Sequence, residues 1–181
     1  MKTLQEAYEK TQQNTKFGDK GTVHTYIDIY ESYLKKFKHK CNLLELGCAY
    51  GESLLMWEDY IQSGLVLGIQ REIHPKLAEN IKKYELNVVD ASCTDPRLPE
   101  LLKDLNFDII VDDASHLIED QILAFNNLKH LVNAGGFYII EDIQNLDKDR
   151  EKLEKLHSNF TIYDNRHLKD RYDDVLVVYE F

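Results

Sequence analysis

Three stretches of this chain are apolar without alternation: Asn42 to Leu46, Phe107 to Asp112 and Gly136 to Asp142. A strand with one face in water alternates apolar and polar residues, whereas a strand covered on both faces need not. The three runs therefore predict the centre of a parallel sheet with helices on both sides. Four more β-type runs, Leu65 to Gln70, Leu86 to Asp90, Phe160 to Tyr163 and Val175 to Phe181, bring the expected strands to seven. Helical periodicity falls between them, at Glu52 to Ile61, His74 to Tyr84, Pro96 to Leu105 and Leu117 to Val132, with Pro75 and Pro96 where helices tend to begin. Strand and helix in alternation give a doubly wound α/β sandwich. The last two strands, joined by the polar loop Asp164 to Asp174, predict an antiparallel pair at one edge.

The first 40 residues hold no strand signal. Val23, Ile27, Tyr30, Leu34 and Phe37 step by four, three, four and three, which predicts a helix lying on the sheet with that face inward. A length of 181 residues suits one domain with its own core. With 22 basic and 32 acidic side chains the net charge is -10, and no basic run exceeds Lys35-Lys36. Binding to nucleic acid or to a membrane surface needs a concentrated positive face, so both partners are disfavoured. No signal-peptide core or membrane-length apolar run is present, and the chain is expected to work in the cytoplasm. Cys41, Cys48 and Cys93 lack CxxC spacing and are read as reduced, small apolar side chains.

In an open parallel sheet, ligands bind at the carboxyl ends of the strands. This chain places its glycines and carboxylates there. In Leu43-Leu-Glu-Leu-Gly-Cys-Ala-Tyr-Gly-Glu-Ser53 a strand runs into a tight turn and then a helix, and Gly47 and Gly51 let a ligand approach the helix start. The spacing is GxxxG rather than the GxGxxG that seats a dinucleotide pyrophosphate, which counts against a nicotinamide cofactor. Glu45, beside the turn, suits a ligand carrying positive charge. Asp113, His116, Glu141 and Asp142 end or follow the fourth and fifth strands. Taken singly they read as helix caps or loop starts. Converging on one rim, three carboxylates without cysteine suit a hard cation such as magnesium, with a histidine beside it to accept a proton.

The glycine segment resembles motif I of the class I S-adenosylmethionine-dependent methyltransferases, whose seven-stranded sheet is mostly parallel with an antiparallel edge strand. The resemblance implies that Gly47, Ala49, Tyr50, Gly51 and Ser53 border the cofactor, with Glu45 nearby and Asp112 on the cofactor side of the fourth strand end. The acidic residue that holds the ribose in that family is replaced here by Gln70, whose amide can still bond a diol; Glu72 is a substitute. Asp90 and Ala91 match the position that reads the adenine.

Asp113-Ala-Ser-His116, followed 25 residues after the histidine by Glu141-Asp142 within Gly-Gly-Phe-Tyr-Ile-Ile-Glu-Asp, resembles the metal-dependent sugar O-methyltransferases of macrolide tailoring and their cephalosporin hydroxylase-like relatives. Gly18-Asp-Lys-Gly-Thr-Val-His24-Thr-Tyr26 and Leu55-Met-Trp57 are similar to segments of the same family. That likeness implies Asp113, Glu141 and Asp142 as magnesium ligands and His116 as general base. The macrolide enzymes carry a large N-terminal extension not found here, so their substrate and oligomer contacts are not carried over. Lys20, His24, Tyr26 and Tyr30 are candidates for a lid, Trp57 for the core, Arg171 and Asp173 for a loop that selects substrate, and Asp147 to His157 for a solvated helix face.

The expected activity is methyl transfer from S-adenosylmethionine to the hydroxyl of a nucleotide sugar, a glycan or a glycosylated small molecule. The alternatives are a magnesium-dependent catechol or phenol methyltransferase and a cofactor-binding partner subunit without turnover. The sequence leaves oligomeric state open, a homo-oligomer included.

Overall fold

The computed structural model describes residues 2–15 and 18–181. Helix α1 (Leu4–Thr15) and helix α2 (Ile27–Leu34) precede the sheet. Then β1 (Leu43–Leu46), α3 (Glu52–Tyr60), β2 (Val66–Gln70), α4 (Pro75–Tyr84), β3 (Val88–Asp90), α5 (Leu98–Leu101), β4 (Phe107–Asp112), α6 (Ile118–Leu128) and β5 (Val132–Ile140) alternate. The chain ends with α7 (Leu146–Glu154), β6 (Phe160–Asp164), α8 (Arg166–Lys169) and β7 (Val175–Glu180). No described helix is long and apolar enough to cross a membrane.

The seven strands form one sheet in the order β3-β2-β1-β4-β5-β7-β6. The first five run parallel, and β7 is antiparallel to both β5 and β6. The antiparallel pair lies at one edge as expected, with β7 slotted inside and β6 outermost. Strand β1 is flanked by β2 and β4, so the winding reverses direction there, and a crevice opens beyond the carboxyl ends of these strands.

Side chains alternate across each strand, and this sorts the core into two layers. Leu43, Ile109, Val111, Phe137 and Ile139 face one side, where they pack with Leu4, Ala7, Tyr26, Tyr30, Leu34 and Trp57. Leu44, Leu46, Ile110, Tyr138 and Ile140 face the other, against Phe125, Leu128, Leu146 and Leu153. By the same alternation Glu45 and Glu141 continue the row of the first layer, on the side of α1, α2 and α3. Asp112 continues the row of the second.

Two sequence expectations shift, and one helix was not expected. The amphipathic helix is confined to Ile27–Leu34, because Val23 lies in a turn and is exposed. The segment Pro96 to Leu105 makes a four-residue helix, Leu98–Leu101, followed by turns. Helix α1 carried no clear stripe in the sequence, yet it buries Leu4, Ala7, Tyr8 and Thr11.

Candidate functional site

The glycine turn forms because β1 must end against the segment that follows β4. Gly47 has φ +81° and its nitrogen donates to the Ile69 carbonyl at 2.8 Å. Gly51 caps α3 with φ +87°, a left-handed conformation that a side chain would strain. The Ala49 nitrogen donates to Gln70 Oε1 at 3.0 Å, so Gln70 fastens the turn to the end of β2. Beneath, Glu45 is wholly buried and accepts a 2.5 Å bond from Ser53 Oγ at the start of α3. Burial pushes the Glu45 carboxyl up to about 6, against the pull of the Lys20 ammonium.

The neighbouring strand ends carry the carboxylates. The Asp113 nitrogen donates to the Leu46 carbonyl at 2.9 Å and the Glu141 nitrogen to the Asp112 carbonyl at 3.0 Å, which lines up β1, β4 and β5 at one level. Asp113 Oδ1 lies 3.0 Å from His116 Nε2, and His116 Nδ1 lies 3.7 Å from Asp142 Oδ2. Asp113, His116 and Asp142 can each offer one ligand atom, all within 4.8 Å of one another. His116 and Asp142 adopt φ +57° and +54°. Such backbone is costly for residues other than glycine and is held only where the surroundings dictate it.

A buried lysine stands behind this trio. Lys20 Nζ is 2.7 Å from Asp113 Oδ2, 2.7 Å from Glu141 Oε1 and 3.4 Å from Glu45 Oε1. The hydroxyl of Tyr30 also donates to Glu141 Oε1, and Tyr26 donates to Asp142 Oδ1 at 2.8 Å. His24 stacks on Tyr26, with Nδ1 3.4 Å from Asp142 Oδ1. The turn bearing Lys20 is pinned by α1, since Tyr8 Oη and Gln12 Nε2 both donate to the Gly18 carbonyl.

The charges do not balance. Burial alone would lower the Lys20 ammonium, but three carboxylates hold it well above its usual range. Burial alone would raise Asp113, but Lys20 and His116 keep it below the usual carboxylate range. Burial and the Asp113 charge push Glu141 and Asp142 up. The hydrogen bond to Asp113, opposed by burial, raises His116. Among the described residues one ammonium pairs with three carboxylates while Asp142 lies beside them, and the excess negative charge, the oxygen-rich donors and the imidazole suit a hard divalent cation. By its donor set the site fits magnesium.

A cavity of about 580 Å³ opens over this rim. Gly47, Ala49, Tyr50, Ser53, Gln70 and Ala91 line it, as do Asp113 and His116. Glu45 does not line it, but its partners Lys20 and Ser53 do. Asp90 does not line it; it is exposed, and its Oδ1 accepts from the Glu72 nitrogen at 3.2 Å. Asp112 points to the opposite layer, where burial pushes it up to about 7 and Oδ2 has no hydrogen-bond partner among the described residues. Glu141 and Asp142 are nearly closed off from solvent, and Glu141 lies on the side of Lys20 and Tyr30. Sequence reasoning offered Lys20 and Tyr26 as lid residues, offered Tyr30 both as lid and as part of an inward helix face, and missed the wall that Tyr8, Thr11 and Gln12 of α1 supply. The one local signal for Lys20 is its place between Gly18 and Gly21.

The sheet order, with its reversed seventh strand and a glycine turn after β1, is the fold of the class I methyltransferases. The MycE methyltransferase from the mycinamycin biosynthetic pathway, in complex with Mg, SAH and mycinamycin VI, matches 96% of this chain and 53% of its own, with a TM-score of 0.74 at 18% identity. Fibrillarin from Aeropyrum pernix, with natively bound S-adenosyl-L-methionine, matches 80% of this chain and 68% of its own, with a TM-score of 0.59 at 18% identity. These likenesses define the fold. By sequence the chain is a homologue of sugar O-methyltransferases. It is 33% identical over 139 residues, 70% of its length, to the 8-demethyl-8-alpha-L-rhamnosyl tetracenomycin-C 2'-O-methyltransferase of Streptomyces olivaceus. It is 29% identical over 133 residues to the demethylmacrocin O-methyltransferase of Streptomyces fradiae. The matched segment spans about a third of these relatives, 35% and 33% of their lengths. No family model matches the chain.

Proposed function

We propose that this chain is an S-adenosylmethionine- and magnesium-dependent O-methyltransferase that acts on a sugar hydroxyl of a glycosylated small molecule, a nucleotide sugar or a glycan. The observation that carries this reading is that one cavity is lined both by the glycine turn and by Asp113 and His116. Two reactants bound there would meet. The relatives named for transfer to sugar oxygens, and a neighbour solved with Mg and SAH, support the same reading.

In this reading Gly47, Ala49, Tyr50, Ser53, Gln70 and Ala91 border the cofactor, which supplies an activated methyl group on sulfur. Asp113, Glu141 and Asp142 would hold magnesium, which lowers the pKa of an oxygen bound to it. The protein's own work is to align the acceptor oxygen with the methyl group and to remove its proton. His116 opens to the cavity, and Asp113 orients its ring through Nε2. With Nε2 donating, the lone pair lies on Nδ1, and that atom takes the proton. A second reading, in which His116 is itself a metal ligand, draws on its place within 4.8 Å of the Asp113 and Asp142 oxygens.

The test is a panel of glycosylated compounds, nucleotide sugars and catechols incubated with S-adenosylmethionine and magnesium. A mass gain of about 14 Da, one CH2, on a sugar-bearing acceptor is expected. Methylation of catechols alone would move the chain to the phenol class, and cofactor binding without any transfer would make it a binding subunit.

A further inference from the structure

Lys20 is enclosed by carboxylates from three strand ends: Glu45 of β1, Asp113 after β4 and Glu141 after β5. Its side chain is 4% exposed. A lysine held this way has given up hydration and rotamer freedom, and only the surrounding negative charge offsets that loss. The turn that carries it is fixed from behind, because a Cβ on Gly21 would fall 2.7 Å from the Tyr8 ring and 3.0 Å from Ile27. The ammonium is therefore built into the cluster. It occupies one oxygen of Asp113 and one of Glu141, two of the residues assigned above to magnesium.

We propose that Lys20 is the resident counter-charge of the metal site: it withholds Asp113 Oδ2 and Glu141 Oε1 from the divalent ion, keeping that ion weakly held and on the His116 side of the cluster. The inference rests on the proposed metal site. It makes Lys20 a positioning residue, acting on the ion through the carboxylates it shares with it. Without the ammonium, both carboxylates are released as ligands and the cluster gains a unit of negative charge. Removing Lys20 should thus strengthen metal binding, whereas a merely structural lysine would weaken it by disordering the rim.

The test is manganese binding followed by electron paramagnetic resonance, without cofactor or acceptor. Lys20→Met is expected to bind manganese at least about tenfold more tightly than wild type, since a full charge is removed at contact distance. Lys20→Arg, which keeps the charge, should stay near wild type. Should Lys20→Met fail to fold, Glu141→Gln and the double variant Lys20→Met/Glu141→Gln give the same comparison with the charge lowered on both sides. The double variant should then bind the more tightly of the two. Equal or weaker binding when Lys20 is removed, in both backgrounds, overturns the assignment. Tighter binding in a protein that methylates nothing keeps the assignment and sinks the methyltransferase reading; turnover without tighter binding does the reverse.

Discussion

A Cβ placed on Gly47 would lie 2.3 Å from the backbone carbonyl oxygen of Asp113 and 2.5 Å from the Cα of Ala114. The turn proposed for the cofactor and the strand end proposed for the metal are thus in backbone contact, and the glycine is what lets them approach. Gly47→Val is expected to push the segment 113–116 outward and to abolish binding of S-adenosylhomocysteine in calorimetry. Its left-handed φ adds strain, so loss of stability by about 1–3 kcal/mol should accompany it in urea denaturation. A Gly47→Val protein that binds the cofactor product normally would separate the turn from the cofactor.

Metal removal offers the second check. Among the described residues Lys20 is the ammonium set against Glu45, Asp113, Glu141 and Asp142, an excess of negative charge, and EDTA is expected to abolish methyl transfer with magnesium restoring it. Asp113→Asn and Asp142→Asn should each lower the rate by more than about a hundredfold while far-ultraviolet circular dichroism stays that of the wild type. Full turnover in EDTA would leave these carboxylates with a purely structural task.

The two roles open to His116 separate in one variant. As the base, His116→Ala should lose about a hundred- to ten-thousandfold in rate and keep its manganese affinity. As a ligand, the same change should weaken manganese about tenfold or more. Measuring both quantities on one preparation decides between them, and near-wild-type values of both would exclude either role.

Much of this was legible in the sequence, for reasons that can be named. Central strands announce themselves because burial on both faces leaves Ile109 to Val111 and Phe137 to Ile140 without polar interruptions, and Gly47 and Gly51 mark a turn that other residues would strain. The side on which each acid points follows from counting by twos, a step not taken when Asp112 was set with Glu45 among the expected cofactor contacts. What stayed hidden came from far along the chain. Lys20 is 93 residues from Asp113 and 121 from Glu141, and nothing local to Gly18-Asp-Lys-Gly records that three carboxylates will surround it. Helix α1 was hidden for a related reason: Tyr8 and Thr11 are buried by packing around the lysine turn and against α3, so its polar composition gives no clean stripe.

Glu45 gives a prediction independent of turnover. It is wholly buried, and burial raises its carboxyl to about 6 from an ordinary 4.5, despite Lys20 and the Ser53 hydroxyl pulling the other way. A raised folded-state pKa means that the fold binds the proton more tightly than the unfolded chain does. The resulting stabilisation is complete below pH 4.5 and fades as the pH climbs through 6. A shift of this size corresponds to roughly 2 kcal/mol. Glu45→Gln keeps the shape and removes the titration, so it should gain on the wild type by about that amount between pH 4 and pH 7.5. Urea denaturation of both proteins at several pH values checks this, because the other titrating groups largely cancel in the difference. A flat difference would mean that Lys20 cancels the effect of burial on Glu45, and one that grows toward low pH that Lys20 outweighs it.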